Sequence, residues 1–339
     1  MAFHEDTLIM TNSGWKKISD IGGFDKVLVR NFLGYSSLTQ PLAIEKTKYD
    51  GTLCCIGNRH WNMRLTPEHK IYNNKNQTMA YREVGTIPAS PLKPIVLDRT
   101  AKYLPEERYL DGKLYIYKGR TAVRRSFCAK DIYVFLAFVI QRATFYTNSR
   151  KRTNNPYRKT IRIAIDKETE TEAFDILVEL LDRLGVKYNY TASLRRLEIS
   201  ARNTLCGVIG ARLGEAKKKE MSIPMDMIFK GVDRFMSPFM KLLLLMNRNY
   251  YDGLPAILGT EKMISSLEVL YSVHGIATRI TNVPREKRKR LIIGGVGQEA
   301  SITFHKKEPN NHRYVYAIDL LEGQVLAKGE GHGVWMSPR

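Results

Sequence analysis

The sequence predicts a multidomain protein: an all-β unit contributed by both chain ends, with a duplicated α+β unit inserted between them. Three observations carry this. Residues 1–100 and 301–339 alternate short apolar runs with Gly, Asn and Pro turns, the pattern of short strands. The middle of the chain changes to a helical period. A helix–Gly–strand unit then occurs twice, with Gly185-Val186 and Gly275-Ile276 at equivalent points ninety residues apart, which reads as an internal duplication. A length of 339 residues suits two or more domains.

Each element follows from local chemistry. In residues 1–100, Thr7–Thr11, Lys26–Arg30 and Leu53–Ile56 are expected strands, parted by Asn12-Ser13-Gly14, Gly22-Gly23, Asp50-Gly51 and Thr66-Pro67. Residues 101–130, rich in Tyr and Arg, read as a tether. Within residues 131–300, the apolar run at Lys130–Ile140 is long enough for a helix. A second helix at Lys167–Leu184 places Phe174, Leu177, Leu180, Leu181 and Leu184 on one face, and strands follow at Lys187–Thr191 and Leu194–Ile199. The pattern recurs as an apolar helix at Phe239–Asn247, an amphipathic helix at Lys262–His274 and a strand at Ile276–Ile280. Tyr314–Leu321, Val325–Ala327 and Val334–Met336 close the chain as strands.

Composition narrows the function. The chain carries 54 Lys+Arg against 34 Asp+Glu, a formal charge of +20, and the mean hydropathy of −0.31 is that of a soluble globular protein. Residues 101–300 hold 36 basic and 21 acidic side chains, so most of the excess sits in the middle. Such a surface attracts polyanions by counterion release, nucleic acid first among them. No apolar run approaches the roughly 20 residues of a membrane span, and the N-terminus lacks a secretory pattern, so no membrane partner is expected. Cys54, Cys55, Cys128 and Cys206 show neither metal-ligand nor disulfide spacing, which suits a reducing, cytoplasmic setting. The seven His are scattered without zinc spacing, and no metal site is expected.

Four segments together resemble a known family. Ala2-Phe3-His4-Glu5-Asp6-Thr7 runs into an apolar strand, Gly14 and Ile18-Ser19-Asp20-Ile21. Leu65 precedes Thr66-Pro67-Glu68-His69. Near the other end stand Val315-Tyr316-Ala317-Ile318-Asp319, then Gly323 and Val334-Trp335-Met336-Ser337. These blocks resemble an intein, the self-splicing Hint-fold element, and the middle resembles its nested LAGLIDADG homing endonuclease. The resemblance implies a Hint horseshoe built from residues 1–100 and 301–339, with the endonuclease-like domain over 131–300.

The resemblance also implies roles. Splicing is nucleophilic acyl transfer. The family's first residue attacks the preceding carbonyl, the block Thr and His, here Thr66 and His69, assist the leaving amine, and a terminal His-Asn cleaves the other junction. This chain departs from that pattern at Ala2, which has no attacking heteroatom. It departs again at Ala317, where a Cys could have substituted, and at Pro338-Arg339, which stand for His-Asn. In the endonuclease part, Phe135–Ala143 and Phe239–Arg248 look like the paired LAGLIDADG helices. The acids that would bind Mg²⁺ in an active member are replaced by Arg142 and Asn247, and Asp252 is the nearest other acid. Arg150, Lys151, Arg152, Arg158, Lys159 and Arg162, with Arg195 and Arg196, are the expected nucleic-acid contacts. The expectation is a monomeric element that contacts duplex DNA and flanking host-protein (extein) segments, inactive in both splicing and cutting. The alternative is a domesticated relic acting as a non-catalytic DNA- or RNA-binding or scaffold protein. Its segment between Asn247 and Thr260 is shorter than that between Arg142 and Asp166, so the second hairpin should be compressed.

Overall fold

The computed structural model describes residues 2–31, 35–58, 61–73, 80–89, 95–98, 102–103, 113–116, 125–146, 160–200, 222–223, 225–230, 233–247, 249–274, 276, 278–283, 288–294, 299–311, 314–321, 323–331 and 333–338. It divides into two compact units, Met1–Leu104 with Ser266–Arg339, and Pro105–Ser265.

The first unit is built on two seven-stranded sheets in which the chain ends interleave. One runs in the order Phe304–Pro309, Thr52–Asn58, Trp61–Leu65, Phe3–His4, Tyr314–Asp319, Ala43–Lys48, with Glu330–Gly331 added beside Trp61–Leu65. The other runs Lys102–Tyr103, Tyr35–Thr39, Val27–Arg30, Leu8–Thr11, Gln324–Lys328, Val334–Met336, with Gly14–Lys17 beside Leu8–Thr11. A single buried cluster joins Phe3, Ile9, Val27, Ile56, Trp61 and Met63 from the early strands to Ile318, Val325, Val334 and Met336 from the last ones. Neither end could bury its apolar face alone, since each sheet needs strands from both.

In sequence order the middle runs twice through helix, two strands, helix, two strands. The first pass is Ala129–Arg142, Ala143–Tyr146, Thr160–Ala164, Thr171–Arg183, Tyr188–Thr191 and Arg196–Ile199. The second is Asp233–Asn247, Asn249–Tyr251, Leu254–Gly259, Glu261–Val273, Thr278–Asn282 and Lys289–Ile293. The duplication expected from the sequence is therefore present in the order of elements. Gly185 ends its helix in the left-handed region, φ 62°, as a C-terminal stop should; Gly275 lies outside the described residues. In the second unit, Ile132–Ile140 is buried on every side, so the first helix is a core element and not an amphipathic one.

Two local differences have physical causes. The helix expected from Phe239 begins at Asp233 and carries Pro238 inside it. The ring forfeits one backbone hydrogen bond, a loss outweighed by packing of Phe239, Leu242, Leu243 and Met246. The segment expected as a tether contains a hairpin pairing Lys113–Ile116 with Arg125–Cys128. The second long hairpin is compressed as expected: Asp252 (φ 50°) and Gly253 (φ 76°) form a two-residue turn whose positive φ at both positions suits the twist of paired strands.

Gly323 controls the turn into the penultimate long strand. Its φ is +98°, and a Cβ there would lie 2.6 Å from the Arg30 carbonyl oxygen and 2.7 Å from Val29 Cγ1. Gly323→Ala is expected to lower the unfolding free energy by about 2–4 kcal/mol, combining backbone strain with overpacking. A urea titration of both proteins checks this, an unchanged midpoint being the contrary result.

Candidate functional site

The site forms where the first strand enters the sheet. Phe3–His4 lies between two partners, with Phe3 opposite Leu65 on one side and Tyr316 on the other. That placement fixes Ala2 against Thr66. The Ala2 N–H donates to Thr66 Oγ1 at 3.0 Å, and the Thr66 N–H returns a bond to the Ala2 carbonyl at 3.0 Å. The His69 N–H donates to the Thr66 carbonyl, closing a tight turn that turns the imidazole inward. Phe3 meets that ring edge-on, centroids 4.7 Å apart.

His69 is fully buried, and neither ring nitrogen completes a hydrogen bond of good geometry. Burial pushes its pKa down to about 3. Backbone groups of Ala2 and Ser337 lie close enough to oppose that shift, so the same imidazole borders both ends of the chain. The ring is neutral at pH 7. It is a weak base that keeps one ring N–H.

The last strand is held in place by a buried ion pair. Glu268 accepts the Gly333 N–H on Oε1 at 2.9 Å and Lys328 Nζ on Oε2 at 3.2 Å, while Lys328 also lies 4.3 Å from the centre of the Trp15 ring. Val334–Met336 then pairs with Val325–Ala327, and the Pro338 carbonyl accepts the Ile318 N–H at 3.4 Å. Ala317 stands next to that bond, half-buried and opposite Glu45. The structure thus gathers Ala2, Thr66, His69 and Ser337, with Pro338 next in the chain and bonded to Ile318; Arg339 lies outside the described residues. Glu268 was missed in the sequence, and Ser337 was noted only as part of the last block, without a role. An acid between Leu267 and Val269 on a buried helix is the signal that could have found Glu268.

The two helix ends carry no acid. Arg142 Nη2 donates to Glu170 Oε1 and to the Met246 carbonyl, both at 2.6 Å. Asn247 Nδ2 donates back to the Leu243 carbonyl at 2.8 Å. Both side chains therefore satisfy carbonyls at the end of the Asp233–Asn247 helix, where a cation is favoured by the helix dipole. A guanidinium at this point repels Mg²⁺ and offers no oxygen ligand. Among the described residues, no group of three His, Cys, Asp or Glu side chains could hold a metal. The donor set does not fit a divalent cation.

The expected DNA-contact residues divide. Arg150, Lys151, Arg152, Arg158 and Lys159 lie outside the described residues. Arg162 lies in the sheet with Nε 2.9 Å from Glu198 Oε2, Arg196 Nη2 is 3.7 Å from the same oxygen, and Arg195 Nε is 3.3 Å from Asp166.

With this geometry established, the chain can be set beside known proteins. The solved structures it resembles include inteins and a homing endonuclease. Against a splice-inactive variant of the AceL NrdHF class 3 split intein it is 17% identical, covering 38% of this chain and 71% of that one, with a TM-score of 0.24. Against the homing endonuclease I-DmoI, solved in complex with DNA and Mn, it is 16% identical, covering 49% and 89%, with a TM-score of 0.35. A curated ATP-dependent Clp protease proteolytic subunit from Chlamydomonas moewusii is 22% identical over 194 residues, and this chain spans about a fifth (19%) of that protein's length. No protein-family model matches the chain.

The buried imidazole makes stability depend on pH. The folded pKa of about 3 lies below the unfolded value near 6.5, so the unfolded chain binds more protons between them. Stability from this group is complete above about pH 6.5 and is lost as pH falls towards 3, at about 1.4 kcal/mol per pH unit within the window. Urea unfolding at several pH values between 4.5 and 7 should show a steeper loss for the parent chain than for His69→Gln. Parallel curves would mean the ring is hydrated or paired.

Proposed function

We propose that this chain is an intein with a nested LAGLIDADG-type homing-endonuclease-like domain, in a form that neither splices nor cuts DNA. The observation that carries this reading is the convergence of Ala2, Thr66 and Ser337 on one buried, neutral imidazole. Acyl transfer between two ends of a chain needs both junctions at one proton-transfer group, and His69 occupies that position. Thr66 Oγ1 already holds the amide nitrogen that would leave. The missing part is the nucleophile: the Ala2 methyl and the Ala317 methyl supply no thiol or hydroxyl for the family's acyl-transfer steps. The proposed setting is the reducing cytoplasm, with host-protein segments flanking a monomeric element.

The chemistry sets clear expectations. The purified chain should remain a single species of 38.9 kDa, and thiol or hydroxylamine should release nothing from an N-terminal fusion. Installing Ala2→Cys behind a host-like segment should create thiol-sensitive cleavage at that junction, and adding Thr66→Ala should slow it by about 10²-fold or more, the order expected for losing one proton-transfer or polarising group. Release from the unaltered fusion would reveal a nucleophile elsewhere. Failure of Ala2→Cys to cleave would remove the splicing reading and favour the domesticated relic.

For the inserted part we infer binding to duplex DNA without cleavage. The charge excess over residues 101–300 supports binding, and the Arg142 guanidinium bonded to Glu170 and Met246 supports the loss of metal chemistry. If five of the basic residues between Arg142 and Arg162 meet phosphates, log K should fall against log salt with a slope of roughly −4 to −5. Replacing Arg150, Lys151 and Arg152 by Ala should lessen the slope by roughly 2 to 3. Gel shifts at several salt concentrations, beside a nicking assay with Mg²⁺ and Mn²⁺, check both parts. Metal-dependent cutting would show that another acid, such as Asp252, serves the metal.

A further inference from the structure

The outer face of the first four-stranded sheet is not the open basic surface that its arginines suggest. Pairing places Thr144, Arg162, Glu198 and Asn189 in one row across the strands, with Arg196 two residues along from Glu198 on the same face. Ile161, Ile163, Leu197 and Ile199 fill the opposite, buried face. The alternation is therefore strict, and Glu198 stands near the middle of the exposed side. One of its oxygens, Oε2, serves both Arg162 (2.9 Å) and Arg196 (3.7 Å). Their side chains are 26–35% exposed, so all three groups are open to a large ligand.

A carboxylate bridging two guanidiniums has the charge and acceptor geometry of a phosphate oxygen between them. Two consequences follow for an incoming polyanion. Arg162 and Arg196 must exchange Glu198 for the ligand before they can gain anything from it, and the carboxylate left behind repels a phosphate. A general polyanion therefore gains little here. A base edge offering a donor to the carboxylate would be tolerated better, because Glu accepts from the exocyclic amine of cytosine while Arg donates to guanine.

We propose that Glu198 is a built-in competitor for DNA phosphate on this sheet, holding Arg162 and Arg196 in reserve and suppressing sequence-independent binding. This rests on the DNA-binding reading given above. It assigns Glu198 a role in specificity, acting through the two arginines, and none in folding.

The test uses the full chain and a random-sequence duplex of about 30 base pairs. Glu198→Gln keeps the shape and an acceptor oxygen but removes the charge. It should tighten non-specific binding about 5- to 10-fold near 100 mM salt and steepen the salt slope by about 1 to 2, as one or both arginines become phosphate contacts. In an Arg162→Gln, Arg196→Gln background the same change should lose most of its effect, since no arginine remains to be released. Glu198→Thr, suited to a strand, should reproduce the gain if Glu198→Gln folds poorly.

The outcomes separate cleanly. Parent and Glu198→Gln proteins that both bind with equal affinity and equal slope overturn this proposal and leave the DNA reading intact. A gain fully retained in the double-arginine background also overturns it, because a bare carboxylate would then be acting by its charge alone. If neither protein binds at low salt, the DNA-binding reading falls and this proposal falls with it.

Discussion

A two-residue strand governs the site. Phe3–His4 is wedged between Leu65 on one side and Val315–Tyr316 on the other, so the start of the chain can reach its place only when strands from both ends are assembled. The Thr66 contacts to Ala2 and the edge-on packing of Phe3 against His69 follow from that register. A shift by one residue would turn Phe3 away from the core and carry Ala2 off Thr66. The same interleaving recurs in the second sheet, where Gln324–Lys328 pairs with both Leu8–Thr11 and Val27–Arg30. Site geometry and core stability are thus one constraint, and the conformational freedom of either end is given up in the same step.

Burial then sets the chemistry. Among the described residues no carboxylate steadies a proton on His69, so the low-dielectric surroundings keep it neutral. Glu268 shows the opposite solution: its charge is nearly as deeply buried, yet Lys328 and the Gly333 N–H satisfy both oxygens. A buried pair of this kind adds little net stability over an apolar pair, but removing one partner is costly, so it specifies where the last strand lies. One group is kept neutral and the other is paired, within the same β unit.

The basic middle of the chain follows a related logic. Arg142, Arg162, Arg195 and Arg196 are each engaged by a carboxylate, and Arg142 also caps a helix carbonyl. Net charge alone therefore overstates how much cation is free on these elements. Pairing on a partly exposed sheet is weak enough to exchange, whereas Arg142, tied to two acceptors at a helix end, serves the structure.

The sequence by itself determined the elements whose cause is local. Alternating apolar runs with turn residues gave the strands at each end, helical spacing before Gly185 gave the Thr171–Arg183 helix, and the ninety-residue repeat gave the duplication. It also determined which atoms are absent: no order of packing can supply a nucleophile at Ala2 or an acid at Arg142. Only the tertiary structure decided which residues meet. That Ser337 borders His69, that Glu268 anchors Gly333 and that Glu198 is shared by two arginines depends on partners far apart in the chain or on a neighbouring strand. Those partners are chosen by sheet register and burial, which are set by the whole core and leave no signature in any local stretch of sequence.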